Sequence, residues 1–370
     1  MIQLRNIQAI LFGLLSLASY GQAQISVNTN EAISNLSSYS MSWSDDSKTL
    51  AIGVHDANDN GTKSGHVRVY KNNSGVWSQV GADINGEKVG DWFGYSVSLS
   101  NDGTTVAIGA KRNHGHNGKN SGHVRVYKNN SGVWKQVGAD IDGEAEGNWS
   151  GYSVSLSGDG AIVAIGAVLN SGNGTKSGHV RVYKNRSGVW TQVGQNINGK
   201  ATKDYFGASV SLSNNGTVLA IGAHQGGRSS GYVSVYKNVS GNWLQIGDAI
   251  VGESVGNFSG WNVSLSSDGS TVAIGAYMNN DKGVRYSYVR AYQNRSNTWI
   301  QKGADIDGKT TGYDVSGFNN ISLSGNGTII LIGAYEKNRG NNKQTPAINY
   351  VRVYKYKDSL NIWRQINTNI

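Results

Sequence analysis

The chain repeats itself six times, and no other feature limits its fold as sharply. An apolar-Ile-Gly core recurs at Ala51-Ile52-Gly53, Ala107-Ile108-Gly109, Ala164-Ile165-Gly166, Ala220-Ile221-Gly222, Ala273-Ile274-Gly275 and Leu331-Ile332-Gly333, at spacings of 56, 57, 56, 53 and 58. A Val-x-Val/Ala-Tyr marker travels with it and ends at Tyr70, Tyr127, Tyr183, Tyr236, Tyr292 and Tyr354. A Trp-x-Gln marker follows, beginning at Trp77, Trp134, Trp190, Trp243, Trp299 and Trp363.

Each unit resolves into four short strands. In the second, Tyr95 to Ser100 alternates apolar and small polar residues, as a half-buried strand does. Asn101-Asp102-Gly103 reads as a hairpin turn, Thr105 to Ala110 as a fully buried strand, and Lys111 to Ser121 as a longer loop. His123 to Tyr127 forms the third strand, Asn129-Asn130-Ser131-Gly132 turns the chain, and Val133 to Val137 forms the fourth. Four antiparallel strands per unit in six units predict an all-β, six-bladed β-propeller. A linear array would need polar terminal caps, and no terminal repeat looks like one. The propeller spans residues 37–370, with repeats near 37–91, 92–148, 149–204, 205–257, 258–316 and 317–370.

Composition agrees. Gly 51, Pro 1 and 15% charged residues describe a chain of turns and strands, poor in helix formers. Cys 0 excludes disulfides, thiolate zinc sites and a cysteine nucleophile. Residues 1–23 read as a secretory signal, with Arg5, an apolar stretch from Ile10 to Ala18 and the small-x-small site Gly21-Gln22-Ala23. A secreted or cell-surface location is expected, with neither a lipidation cysteine nor a transmembrane segment. Residues 24–36 form an N-terminal segment in which Ile25 to Asn28 is a candidate closing strand on the last blade; direct blade-to-blade packing is the other way to close the ring.

Phe93-Gly94 and Phe206-Gly207 open two units, and Gly-Ala closes the second strand at Gly109-Ala110, Gly166-Ala167, Gly222-Ala223, Gly275-Ala276 and Gly333-Ala334. On these residues the chain resembles the FG-GAP repeat family of integrin α-chain propellers and many exported bacterial proteins. The resemblance implies a propeller, and an adhesion or protein-interaction role as one function. The family's proline is missing from the repeats, and so is its acidic calcium loop. Ser100-Asn101-Asp102-Gly103 and its counterparts carry one carboxylate or none, too few oxygens for calcium. Neither a metal nor another cofactor is expected.

Strand parity puts the second-to-third loops and the loops between repeats on one face. These are long and variable, and ligand sites belong on such loops. They carry His55, Lys111, Arg112, His114, His116, His224, Arg228, Tyr277, Arg285 and Tyr335. The junctions between repeats each add an aromatic: Trp92, Trp149, Tyr205, Phe258 and Tyr313. Aromatic platforms beside amides and charges suit sugar rings; the alternative is a plug packed between blades. Each Trp and Gln of the Trp-x-Gln pairs share one strand face, and their recurrence in all six units favours a structural role. His66, His123 and His179 occupy one strand position that is tyrosine elsewhere, which reads as packing with a polar tip. His114-Gly115-His116 lacks the nearby carboxylate that a metal site would want.

No nucleophile elbow, phosphate loop or zinc-protease helix is present. The reading is an exported, non-catalytic recognition module for extracellular polysaccharide or a cell-surface glycan, acidic chains included. One alternative is a polysaccharide lyase on a uronate polymer. It would take its charge-neutralising cation from Arg112, Arg228 or Arg285, and its proton acceptor from His55, His114, His116, His224, Tyr277 or Tyr335. The other is a propeller that binds another surface protein. The net charge of +9 suits anionic partners, but the basic residues are scattered, which argues against nucleic acid.

Overall fold

A computed structural model describes residues 39–226, 230–279, 285–308, 313–314, 321–337 and 348–366. They form six antiparallel sheets in chain order, a six-bladed β-propeller. In the second blade the strands are Phe93–Leu99, Thr105–Ala110, His123–Asn130 and Val133–Gln136, each hydrogen-bonded to the next. The first strands of successive blades lie against one another around the axis. Every residue of Thr105–Ala110 is buried, because this strand is packed on both faces.

Each sheet has five strands rather than the four expected. After the fourth strand the chain kinks at Gly138 (φ 74°), and Ile141–Asp142 returns to pair with the upper half of the third strand. In blade 6 the additional strand is instead Tyr313–Asp314, paired with the second strand.

One set of contacts recurs at the first five junctions. An indole N–H donates to a carbonyl of the preceding blade: Trp134 to Val80 (2.7 Å), Trp190 to Val137 (2.7 Å), Trp243 to Val193 (3.0 Å), Trp299 to Ile246 (2.9 Å) and Trp363 to Lys302 (2.6 Å). On the hairpin face a relay of backbone bonds runs from Asp45 to Asn101, Gly158, Asn214, Ser267 and Gly325, each N–H donating to the next carbonyl. Apolar clusters fill the gaps; Ala51, Val67, Val69 and Ile84 of blade 1 pack on Phe93, Val97, Leu99, Val106 and Ile108 of blade 2. The blades approach so closely that a Cβ on Gly109 would collide with the Gly151 carbonyl oxygen, so only glycine fits the Gly-Ala motif there.

Among the described residues these contacts are absent between blade 6 and blade 1. Trp77 keeps a buried indole N–H without a partner, and Met41 is 42% exposed where the matching Val97 is 9% exposed. Leu50, Trp43, Ile52 and Trp77 form one cluster, separate from Ile329, Leu331, Val351 and Val353. The closing strand expected at Ile25 to Asn28 and the leader at 1–23 lie outside the described residues. No helix among those residues is long and apolar enough to cross a membrane.

Candidate functional site: a cationic aromatic cleft

The two faces of the ring are built differently. On one face the hairpins all use the same device. Ser100 Oγ donates to Asp102 (2.6 Å), the Thr104 N–H donates to the same carboxylate (2.9 Å), and the Thr105 N–H donates back to Ser100 Oγ (2.9 Å). Ser157/Asp159, Ser213/Asn215, Ser266/Asp268 and Ser324/Asn326 repeat it. These bonds hold the Asp102 carboxyl below the usual range despite partial burial. The carboxylate in this loop therefore closes a turn.

The opposite face holds the variable loops. Arg112 N–H donates to the Asp91 carbonyl (3.3 Å) and Trp92 N–H to the Lys63 carbonyl (3.2 Å), so the second-to-third loops and the junction loops meet there. Trp92, Trp149, Tyr205 and Phe258 all adopt left-handed backbone conformations, with φ between 45° and 56°. Bulky side chains rarely do so. The residue before each is buried (Asp91, Asn148, Asp204 and Asn257), and Asp91 and Asp204 anchor the loop by accepting backbone N–H groups of Lys88 and Lys200. The aromatic that follows is turned up to a half-buried position on the rim.

Between blades 1, 2 and 3 this geometry opens a cleft of about 580 Å³. Trp92 and Trp149 are its aromatic walls, Lys63, Arg112, Lys119 and His114 its basic groups, and Thr62, Val89, Gly90 and Asn120 complete it. Among the described residues no carboxylate lines it. The Arg112 guanidinium lies 3.9 Å from the centre of the Trp92 ring, and its Nε is buried without a hydrogen-bond partner. His114 Nδ1 is 2.9 Å from the Arg112 carbonyl oxygen.

Beneath the walls lies Lys111, 5% exposed. Its ammonium is 3.3 Å from the Tyr95 ring centre, 4.8 Å from Tyr152, 4.9 Å from Trp149 and 5.0 Å from Trp92. Burial, with Arg112 alongside, pushes its pKa down to about 7. His55 packs on both Trp92 and Tyr95, at 5.0 and 5.1 Å.

The other residues singled out in the sequence are dispersed. His116 is exposed and near Asp142, outside the cleft. His224 stands between Tyr205 and Trp261, at 5.8 and 4.4 Å; burial pushes its pKa down to about 4 and keeps the ring neutral. Tyr277 is half-buried on blade 5, and Phe258 stands at the rim of the same blade. Tyr313, Arg285 and Tyr335 lie on strands whose backbone alone is described, and Arg228 lies outside the described residues. Of the expected site residues the structure thus gathers His55, Trp92, Arg112, His114 and Trp149. Sequence reasoning missed Lys63, Lys119, Tyr95 and Tyr152; position after a repeat motif gives the tyrosines away, but the two lysines carry no signal of their own.

The strand histidines and Trp-x-Gln pairs are structural. His66 is fully buried against Asp59, and His123 lies 3.5 Å from Asp140. Asp140 is held in turn by Arg125 through bonds of 2.8 and 2.7 Å, and Arg125 also pairs with Glu87 of the preceding junction. The glutamine amides of blades 1 to 5 donate back to their own blades, as Gln136 does to Gly138 and Asp140.

Residues 85–127 match the model of the FG-GAP repeat. No curated protein matches the chain in sequence. Among solved structures, a periplasmic gluconolactonase of Pseudomonas aeruginosa is similar at 14% identity and a TM-score of 0.55, over 89% of this chain and 84% of that one. A putative 6-phosphogluconolactonase of Bacteroides uniformis is similar at 12% identity and a TM-score of 0.50, over 87% and 96%. At such identities the likeness is one of fold alone. The matched segment runs from the junction before blade 2 through its third strand, and the markers it contains recur around the ring: the chain is a six-bladed β-propeller in which residues 85–127 match the FG-GAP repeat.

Proposed function

We propose that this chain is an exported, non-catalytic recognition module that binds acidic glycan in the cleft between Trp92 and Trp149. One observation carries the reading: two indole walls stand beside Lys63, Arg112 and Lys119, with no carboxylate in the lining among the described residues. Indole faces stack on the C–H faces of sugar rings, while the guanidinium and ammonium groups pair with carboxylate or sulfate. The repetition of the scaffold supports the reading too, since a rigid ring holds the loops without an ordering cost on binding.

Affinity electrophoresis through gels containing neutral, uronate-rich or sulfated polysaccharides tests it. Retardation is expected in the acidic gels, weakened about tenfold by Trp149→Ala, in line with the cost of losing one aromatic stacking partner. Equal migration in every gel would end the proposal.

A second reading has one observation in its favour. Arg112 and His114 line the same cleft, which places a cation and a proton acceptor together, as a uronate lyase needs. Rising absorbance at 235 nm on a uronate polymer, abolished by His114→Ala, would replace binding by catalysis.

A further inference from the structure

We infer that Lys111 is a concealed fourth cation beneath the cleft: it takes up a proton when an anionic ligand enters, and the rings around it transmit that charge to the two tryptophan walls. The inference rests on the cleft being the binding site. It arises from an arrangement found at one blade only. The residue after the Gly-Ala motif, which is Gly-Val in blade 1, is His55 in blade 1, Lys111 in blade 2, Val168 in blade 3, His224 in blade 4, Tyr277 in blade 5 and Tyr335 in blade 6. Only in blade 2 is it an amine, and there it is enclosed by four aromatic rings, two of which are the cleft walls.

Among the described residues no carboxylate pairs with Lys111. Arg112 is its chain neighbour and a like charge, and Lys63 lies 5.8 Å from the centre of the Trp92 ring. His55 faces Trp92 and Tyr95 from blade 1. Tyr95 and Tyr152, their hydroxyls kept protonated by burial, face it from the inner strands. The carboxyl of the adjoining junction, Asp91, is occupied by the Lys88 N–H and by Asn113. Two effects therefore oppose each other. Burial and Arg112 expel the proton, and the negative ring faces hold it. With a pKa pushed down to about 7, the amine is close to balance in the free protein. An anion above Trp92 offsets the Arg112 charge and tips the balance to ammonium.

The sign follows from linkage. A ligand that favours the protonated amine binds tighter where the proton is present, so affinity is highest below pH 7 and falls as pH rises through it. Each unit by which the ligand raises the amine's pKa is worth about tenfold in affinity between the two limits.

The test has two parts, both on the full chain. Tryptophan emission of the free protein, titrated from pH 5.5 to 9.5, should show a transition near pH 7. Lys111→Met, which keeps the volume, should remove it; His55→Gln should retain it. A transition that persists in Lys111→Met, or disappears in His55→Gln, overturns the inference. Calorimetry with polygalacturonate and with dextran sulfate, at pH 7.5 in phosphate and in Tris, then measures protons taken up. Uptake by the wild type that is lost in Lys111→Met supports the coupling, and binding without uptake overturns it. If neither polymer binds, the glycan reading fails, and the fluorescence titration alone decides whether Lys111 titrates against the tryptophan walls.

Discussion

Blades 2 and 3 are close copies that have been put to different ends. Their inner strands share Tyr-Ser-Val-Ser-Leu, at 95–99 and 152–156, and their third strands share His-Val-Arg-Val-Tyr-Lys-Asn, at 123–129 and 179–185. Their indoles bond back to the preceding blade at the same 2.7 Å. The difference begins one residue past the Gly-Ala motif, where blade 2 has Lys111-Arg112 and blade 3 has Val168-Leu169. In blade 3 the position is simply filled: Val168 is 2% exposed. In blade 2 a cation of similar burial is accommodated by a frame of aromatic rings. Two residues on one loop, together with Tyr152 or Ala208 on the neighbouring inner strand, separate a cleft from a packed junction.

The comparison can be broken most forcefully by exchanging those residues. Val168→Lys places an ammonium where Ala208 stands in place of the inner-strand tyrosine, and an uncompensated buried charge there should cost about 3 kcal/mol in urea unfolding. A neutral outcome would mean that any blade can host the cation and that the rings around Lys111 are incidental. The reverse exchange, Arg112→Leu, should leave stability within about 0.5 kcal/mol. It should also reduce retardation in an acidic polysaccharide gel about tenfold, as loss of one charge-assisted contact does.

A smaller effect separates the blades by pH. Lys111 in the folded chain releases its proton near pH 7, whereas the unfolded chain holds it to above pH 10. Between these values the unfolded state binds more protons, so this group makes stability rise with pH. The urea midpoint of the wild type minus that of Lys111→Met should therefore increase from pH 7 to pH 9.5; a flat difference would remove the buried amine from the account. His224 acts at the other end of the scale. Its depressed pKa means that stability is lost as pH falls from about 6.5 toward 4, and His224→Phe should flatten that decline.

The smallest effect tests whether the frames really are equal. Trp134→Phe and Trp190→Phe each delete one indole bond, and each should cost about 1 kcal/mol, alike within experimental error. Trp77→Phe should cost less, since its N–H has no partner among the described residues. Unequal values for blades 2 and 3 would show that the loops do alter the frame.

These contrasts explain what could be read in the sequence. The architecture was legible because six copies of Ile-Gly, Tyr and Trp-x-Gln sample the same contacts, so each marker announces a junction. The fifth strand was not legible, because Ile141-Asp142 is only two residues long and follows a kink that no alternation reveals. The rim aromatics were recognisable by position and the loop face by parity. The cleft was not recognisable as a unit: Trp92, Lys111 and Trp149 belong to consecutive junctions, and their convergence depends on the curvature of the ring. Lys111 itself is one loop residue of that face among several, since nothing in the string records that four rings close over it.

The likeness of neighbouring blades has a kinetic consequence. Within a blade every strand pairs with one that is near in sequence, so each sheet can form early and on its own. But the identical third strands of blades 1, 2 and 3, at 66–72, 123–129 and 179–185, are equally good partners for one another's second strands. A chain that emerges slowly, one repeat at a time, would pair each strand before its competitor exists. Rapid refolding of the whole chain from denaturant offers all three at once and invites strands to be exchanged between blades, a trapped product that dilution alone does not correct.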